Sequence, residues 1–273
     1  MIGGSPQPEE VVYLSKRRTP VIPRPEPHRS ATGIRNRNRL LAALPEVERQ
    51  RIEPLLDVIP LRLRETLHKP GESPSHVYFP GGGFCSVVAV LEDGRMIEVA
   101  TIGREGMVGI AAVLGGRSPS SSAAMVQGAA DICYRMTVDA LKSELDRRGS
   151  FYHLLTNYTE ALIGFIMQST ACNAVHTVEQ RLARWLLMAH DRMESDEFPL
   201  TQEFAAMMLG ATRPTVSLVA ATLQQAGLIR YYRGHVTIVN RTGLEDTACE
   251  CYRTATDLVQ GVTAPRNTRS RSR

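Results

Sequence analysis

Between about residues 59 and 136 apolar and polar positions alternate with a period of two. Turns punctuate the alternation at Pro70-Gly71-Glu72, Pro80-Gly81-Gly82-Gly83, Glu92-Asp93-Gly94 and Gly103-Arg104-Glu105-Gly106. The pattern predicts strands over 61–67, 76–79, 84–91, 95–102, 124–127 and 130–135, and turns so regularly spaced predict an antiparallel roll or barrel. Asp93-Gly94 is the plainest hairpin turn. Gly81 to Gly83 are followed by no Lys-Ser/Thr, so they read as a wide turn and not a phosphate loop.

On both sides of this region the period becomes helical. Residues 38–44 and 46–52 read as short helices, and Thr137 caps another over 138–145. A long helix is expected from the cap Ser150 to about 175, with Phe151, Leu154, Leu155, Tyr158, Leu162, Phe165 and Ile166 along one side. A stripe lying between two domains suits a seam with a second copy of the chain, so these seven residues are the expected dimerisation face. Thr177-Val-Glu-Gln180 then reads as a capping box for a helix from 178 to about 193, with Leu182, Trp185, Leu186 and Ala189 inward.

The segment 200–229 carries the most specific pattern. Thr201 caps a helix whose Phe204, Ala205, Met208 and Leu209 share a face until Gly210. Thr212 caps a second, in which Pro214 falls in the first turn and Val216, Val219, Ala220 and Leu223 form the apolar stripe. Helices joined so tightly cross steeply, with the small Ala206 beneath the crossing and Gly210 at positive φ. That presents the second helix's N-terminus to a partner. Thr212, Arg213, Thr215, Ser217 and Leu218 there are donors or methyl-bearing groups, and an arginine fork matches the O6 and N7 acceptors of guanine. Residues 228–239 follow as two short strands turned at Arg233-Gly234-His235, a wing with Arg230, Arg233 and His235 on or near its tip. The candidate DNA-contacting set is therefore Thr201, Thr212, Arg213, Pro214, Thr215, Ser217, Leu218, Arg230, Arg233 and His235.

Composition adds bounds. At 273 residues and 43% hydrophobic content the chain has room for two cores. Its net charge of +4 equals the contribution of Arg266, Arg269, Arg271 and Arg273 in the last residues, so affinity for nucleic acid must come from local charge. Locally, four arginines between 199 and 244 face one acid, Glu203. Five scattered cysteines, 85, 133, 172, 249 and 251, make no disulfide framework and fit a reducing cytoplasm. No apolar run reaches the roughly 20 residues of a membrane span. The expected organisation is a Pro/Arg-rich disordered tail (1–35), a β-roll (36–149), a dimerisation helix (150–176), a winged helix-turn-helix (177–247), and a helix end with a basic disordered tail (248–273). The fold class is α+β.

This arrangement resembles the Crp/Fnr family of bacterial transcription regulators, on Val178-Glu-Gln-Arg-Leu-Ala-Arg-Trp-Leu-Leu187, Leu200-Thr-Gln-Glu-Phe204, Leu209-Gly-Ala-Thr-Arg-Pro-Thr-Val216 and Gly227-Leu-Ile229. The resemblance spans residues 38–244. It implies a β-roll sensor, a homodimer on pseudo-palindromic double-stranded DNA, RNA polymerase as a further partner, and an arginine, here Arg213, on a guanine. Where the family often has a glutamate and a later arginine, this chain has Pro214 and Leu218. Members that bind cyclic nucleotides carry a Gly-Glu and an Arg-Ser or Arg-Thr pair. Here Gly109-Ile110 and Ser120-Ser121-Ser122 stand in those places, with Arg117 a few residues early. Hydroxyls alone seldom offset burial of a phosphate charge, so cyclic AMP is not the expected effector. An iron–sulfur cluster is not expected either, because the first cysteine is Cys85. No cofactor or metal is expected.

Three rival classes remain. A cupin-like enzyme needs clustered His and carboxylate ligands, and His68 and His76 are isolated. A thiol or metal sensor would use Cys249 and Cys251, with His190 or Cys172, but two cysteines one residue apart on a helix diverge. Buried small residues are the plainer expectation there. A dimeric scaffold or small-molecule sensor without DNA binding would not need a basic wing beside a capped recognition helix.

Overall fold

Asn38 starts the fold. In the computed structural model, which describes residues 37–114 and 122–263, its side-chain oxygen accepts from the amides of Leu40 and Leu41 at the head of α1 (Arg39–Ala42). Its side-chain nitrogen donates to the carbonyls of Pro80 and Gly106, 3.0 and 2.9 Å away. A buried amide with its hydrogen bonds made pins the first helix to the sheet behind it. The expected disordered tails, with Arg117, Ser120 and Ser121, lie outside the described residues.

Seven strands follow α2 (Glu46–Ile52): β1 (Asp57–Leu61), β2 (Thr66–His68), β3 (His76–Pro80), β4 (Phe84–Val90), β5 (Met96–Ile102), β6 (Ser122–Gly128) and β7 (Ala130–Thr137). They form two antiparallel sheets, ordered β1-β7-β3 and β2-β6-β4-β5. The single strand expected over 61–67 is two. At Arg64 the backbone turns left-handed, φ 66, and the chain leaves β7 to join β6. The Arg64 amide then meets the Val126 carbonyl, and the Val126 amide the Glu65 carbonyl, at 2.9 and 2.8 Å. Alternation alone does not reveal such a corner, because both halves keep the same period.

Thr137 caps α3 (Val138–Leu145). The 26-residue α4 (Ser150–Val175) is capped differently from the expectation. Ser150 is its first helical residue, and the Glu48 carboxylate of α2 accepts from the amides of Ser150 and Phe151 at 2.7 and 2.8 Å. A carboxylate at a helix N-terminus is favoured by the peptide dipoles. Burial works to raise the Glu48 pKa, but these amides more than reverse it and it is lowered.

The C-terminal part comprises α5 (Val178–His190), β8 (Glu197–Pro199), α6 (Gln202–Leu209), α7 (Arg213–Gln225), β9 (Ile229–Tyr232), β10 (His235–Ile238), α8 (Arg241–Thr247) and α9 (Cys251–Gln260). The capping box opening α5 forms through Thr177 and Gln180. Two elements are additions to the sequence expectation. β8 makes the wing a three-stranded sheet, β8-β10-β9, and α9 is a ten-residue helix where the sequence predicts only a helix end and a tail.

The roll packs against the side of α4 expected to meet a second chain, with Phe79 of β3 against Phe151 and the Met107 carbonyl accepting from the Tyr158 hydroxyl. Phe151, Leu155, Tyr158, Leu162 and Phe165 are buried in the chain's own core, among the roll, α4 and α9, and Leu154 and Ile166 pack against it. Five of the seven residues expected on the dimerisation face are therefore core residues of the chain itself, and Leu154 and Ile166 are half-buried. α4 is apolar on more than one face, so periodicity alone does not say which face meets which neighbour. A second core joins Trp185, Leu186 and the helix-turn-helix to Phe84, Val88 and Ala123 of the roll, with Phe84 and Trp185 edge to face at 6.1 Å.

Candidate nucleic-acid interface

α6 and α7 are bent by 108° to one another. Thr201 caps α6 by accepting from the Phe204 amide at 3.1 Å, and Gly210 closes it at φ 58, a left-handed position that a Cβ would strain. Thr212 caps α7, with Pro214 in its first turn. Ala205, Ala206, Met208 and Leu209 of α6 and Val216, Ala220 and Leu223 of α7 are buried between the helices and α5.

The opposite side of α7 faces solvent. Thr212, Arg213, Pro214, Thr215 and Leu218 are exposed, and Arg213 makes no ion pair among the described residues. Three hydroxyls are already engaged. Thr212 and Thr215 lie 2.8 Å apart, and the Ser217 hydroxyl lies within bonding reach of the Gln202 side chain and the Arg213 carbonyl. Gln202 is thus a residue the sequence reading missed, and it braces one helix of the pair against the other.

The wing turns on two residues, Arg233 at φ 46 and Gly234 at φ 79, the left-handed pair that closes a tight hairpin. Its tip is tied down, for the Gly234 carbonyl accepts from the Leu200 amide at 2.8 Å and the Tyr231 hydroxyl donates to the Leu200 carbonyl. His235 pairs with Tyr232 and Arg230 with Thr237, so alternation puts Arg230 and His235 on the exposed face while Val236 and Ile238 are buried. Arg230 sits back from the tip and Arg233 at it.

Between wing and α7 lies a cleft of about 760 Å3, lined among others by Thr201, Gln202, Glu203, Arg213, Arg233 and Arg64. Three guanidiniums against one carboxylate suit a polyanion. Arg64 comes from the corner between the roll's two sheets, and only tertiary structure brings it there.

In the roll, a cavity of about 270 Å3 opens against α4, lined by Val87, Ala89, Ala100, Ile102, Ile110, Leu162 and Ile166, with His68 at its edge. Burial lowers the His68 pKa. The described lining carries no arginine and no acid. The phosphate of a cyclic nucleotide needs a fixed cation, and the described lining supplies none.

Residues 58–148 match the model of a cyclic nucleotide-binding domain and residues 180–247 that of a Crp-like helix-turn-helix domain. Among solved structures, a Crp/Fnr-family protein from Eubacterium rectale is 18% identical, with a TM-score of 0.60 over 76% of this chain and 96% of that one. FixK2 from Bradyrhizobium japonicum is 18% identical, TM-score 0.59, over 71% and 98%. The c-di-GMP responsive global regulator CLP from Xanthomonas campestris is 16% identical, TM-score 0.54, over 69% and 96%. At these identities the structures show the shared fold. No curated protein sequence matches the chain. A cyclic-nucleotide-binding-like roll, a long helix and a winged helix-turn-helix define a DNA-binding transcription regulator. The chain belongs to the Crp/Fnr family. Among the described residues no single helix is long and apolar enough to cross a membrane.

Proposed function

We propose that the chain acts as a homodimer whose two α7 helices enter successive major grooves of a pseudo-palindromic site, about 34 Å apart. The observation that carries this reading is the unpaired, exposed Arg213 at the free N-terminus of α7, flanked by the basic cleft and wing. Arg213 reads a guanine, Thr212, Thr215 and the wing residues Arg230, Arg233 and His235 hold phosphates, and Leu218 packs on a base or sugar. Thr201 and Pro214 set the helix ends, and Ser217 braces Gln202.

The dimer seam we propose is the exposed side of α4: Thr156, Glu160, Ile163, Met167, Thr170 and Ala174. Their alternating steps of four and three residues are those of a coiled-coil seam. The roll senses an apolar molecule in its cavity and not cyclic AMP, with no iron–sulfur cluster involved. The protein acts in the cytoplasm without catalysing a reaction, and RNA polymerase is its further partner by the family's role.

The test is selection of bound duplexes from a random library by purified protein, at fixed salt, with and without cyclic AMP. An inverted repeat with half-sites about ten base pairs apart, unchanged by nucleotide, is expected. Enrichment only with nucleotide would overturn the apolar-effector reading, and a single unrepeated half-site would overturn the dimer.

A further inference from the structure

Cys172 and His176 stand one helical turn apart at the end of α4, so they share a face. Cys249 and Cys251 flank Glu250 where the chain turns from α8 into α9. Cysteines one residue apart on a continuous helix would diverge, but here Cys249 lies before α9 and Cys251 is its first residue. Both sulfurs therefore converge on α4. His190, the histidine considered from sequence, is elsewhere, within bonding distance of Asp196 and Arg241.

The four ligand atoms lie within 4.8 Å of one another, and all three cysteines are buried. Cys172 Sγ is 3.5 Å from Cys249 Sγ, and Cys251 Sγ is 3.5 Å from His176 Nδ1. A tetrahedron with Zn–S near 2.3 Å and Zn–N near 2.0 Å has S–S edges of about 3.8 Å and S–N edges of about 3.5 Å. The observed edges fit with little movement.

The surroundings fit as well. The other ring nitrogen, His176 Nε2, is 3.4 Å from the Glu250 carboxylate, the partner that metal-bound imidazoles commonly have. Gln168 donates from Nε2 to Cys251 Sγ at 3.0 Å. Charge gives a further argument. Arg184 is buried, and among the described residues neither it nor Arg181 forms an ion pair. The Nε atoms of both have no hydrogen-bond partner, and both side chains interact electrostatically with Cys172. Three thiolates, a neutral imidazole and a dication carry one net negative charge, which gives these guanidiniums a counter-ion.

We propose that Cys172, His176, Cys249 and Cys251 form a closed, four-coordinate site for a zinc-class cation, which clamps the end of α4 to the start of α9. Three thiolates and an imidazole select such a soft cation over calcium or magnesium. With four protein ligands no position is open for substrate, so the site is structural. It also fixes His176, the residue between α4 and the capping box of α5, and with it the joint between the long helix and the winged domain.

The experiment uses the full chain, purified with a non-thiol reductant and without chelator, and reads metal content by mass spectrometry. One zinc per chain is expected. Cobalt(II) added to chelator-stripped protein should give intense visible bands of a tetrahedral site and a thiolate-to-cobalt charge-transfer band. His176→Ala should abolish stoichiometric zinc. Glu250→Gln, at an exposed position that leaves the fold intact, should weaken zinc about tenfold or more. A reduced, folded, stripped protein that binds neither zinc nor cobalt at micromolar concentration overturns the proposal, as does a Cys172–Cys249 disulfide in metal-free protein isolated without reductant. None of these readouts involves DNA, so failure here is distinct from failure of the regulator reading.

Discussion

Arg192 Nη2 lies 2.6 Å from Glu105 Oε1, and the two side chains are 10% and 13% exposed. Glu105 belongs to the turn after β5 and Arg192 follows the end of α5, so the pair ties the roll to the winged domain. Burial works to raise the Glu105 pKa, but the guanidinium and the Gly103 amide outweigh it and the carboxyl is lowered. Arg192→Ala leaves a carboxylate buried without its cation. A loss on the order of 3 kcal/mol is expected in urea unfolding, with the contribution of the intact pair present above pH 4.5 and lost on acidification. A loss below about 0.5 kcal/mol would mean that water compensates the charge.

Glu98, on β5 in the same seam, behaves oppositely. It is buried beside the Ser86 hydroxyl, and burial pushes its pKa up to about 7. A carboxyl that holds its proton more tightly when folded makes stability fall as pH rises from about 4.5 to about 7, by on the order of 3 kcal/mol. Glu98→Gln should remove that slope and stabilise the protein at pH 8. Parallel stability–pH curves for the two proteins would show that Glu98 is not the titrating group.

The helix-turn-helix was legible because its signals are local: Thr201, Gly210, Thr212 and Pro214 act within one turn of their own position. The wing's two main strands were legible for the same reason. What escaped depends on distant partners. Glu48 caps a helix about a hundred residues away, Arg64 breaks a strand because two sheets meet there, and the roll takes the face of α4 that looked available to a second chain. The Cys/His group escaped because the turn at Glu250 undoes the divergence that a continuous helix would impose.

Arg213 and Arg233 separate specificity from affinity. Arg213→Ala should lose about 1 to 3 kcal/mol at the selected site with little change on random DNA. An equal loss on both would assign Arg213 to a phosphate. Arg233 occupies a left-handed position that glycine accepts more readily, so Arg233→Gly removes a charge without destabilising the turn. The salt dependence of DNA binding should then shallow by about 0.9 for each wing contact removed. An unchanged slope would place the wing away from the backbone.

Adjacent residues on α4 test the dimer. Leu162 is 3% exposed and Ile163 48%, so one faces the chain's own roll and the other the proposed seam. Leu162→Asp buries a charge in the core and should cost about 3 kcal/mol or more of folding stability. Ile163→Asp should leave the fold within about 0.5 kcal/mol. In a dimer, however, it sets two carboxylates against each other across a coiled-coil position, and dimerisation should weaken by about 100-fold or more. Sedimentation equilibrium with far-UV circular dichroism reads both effects. A folded Ile163→Asp protein that remains dimeric at low micromolar concentration would move the interface off this face of α4, and the two-fold reading of DNA would then need a different axis.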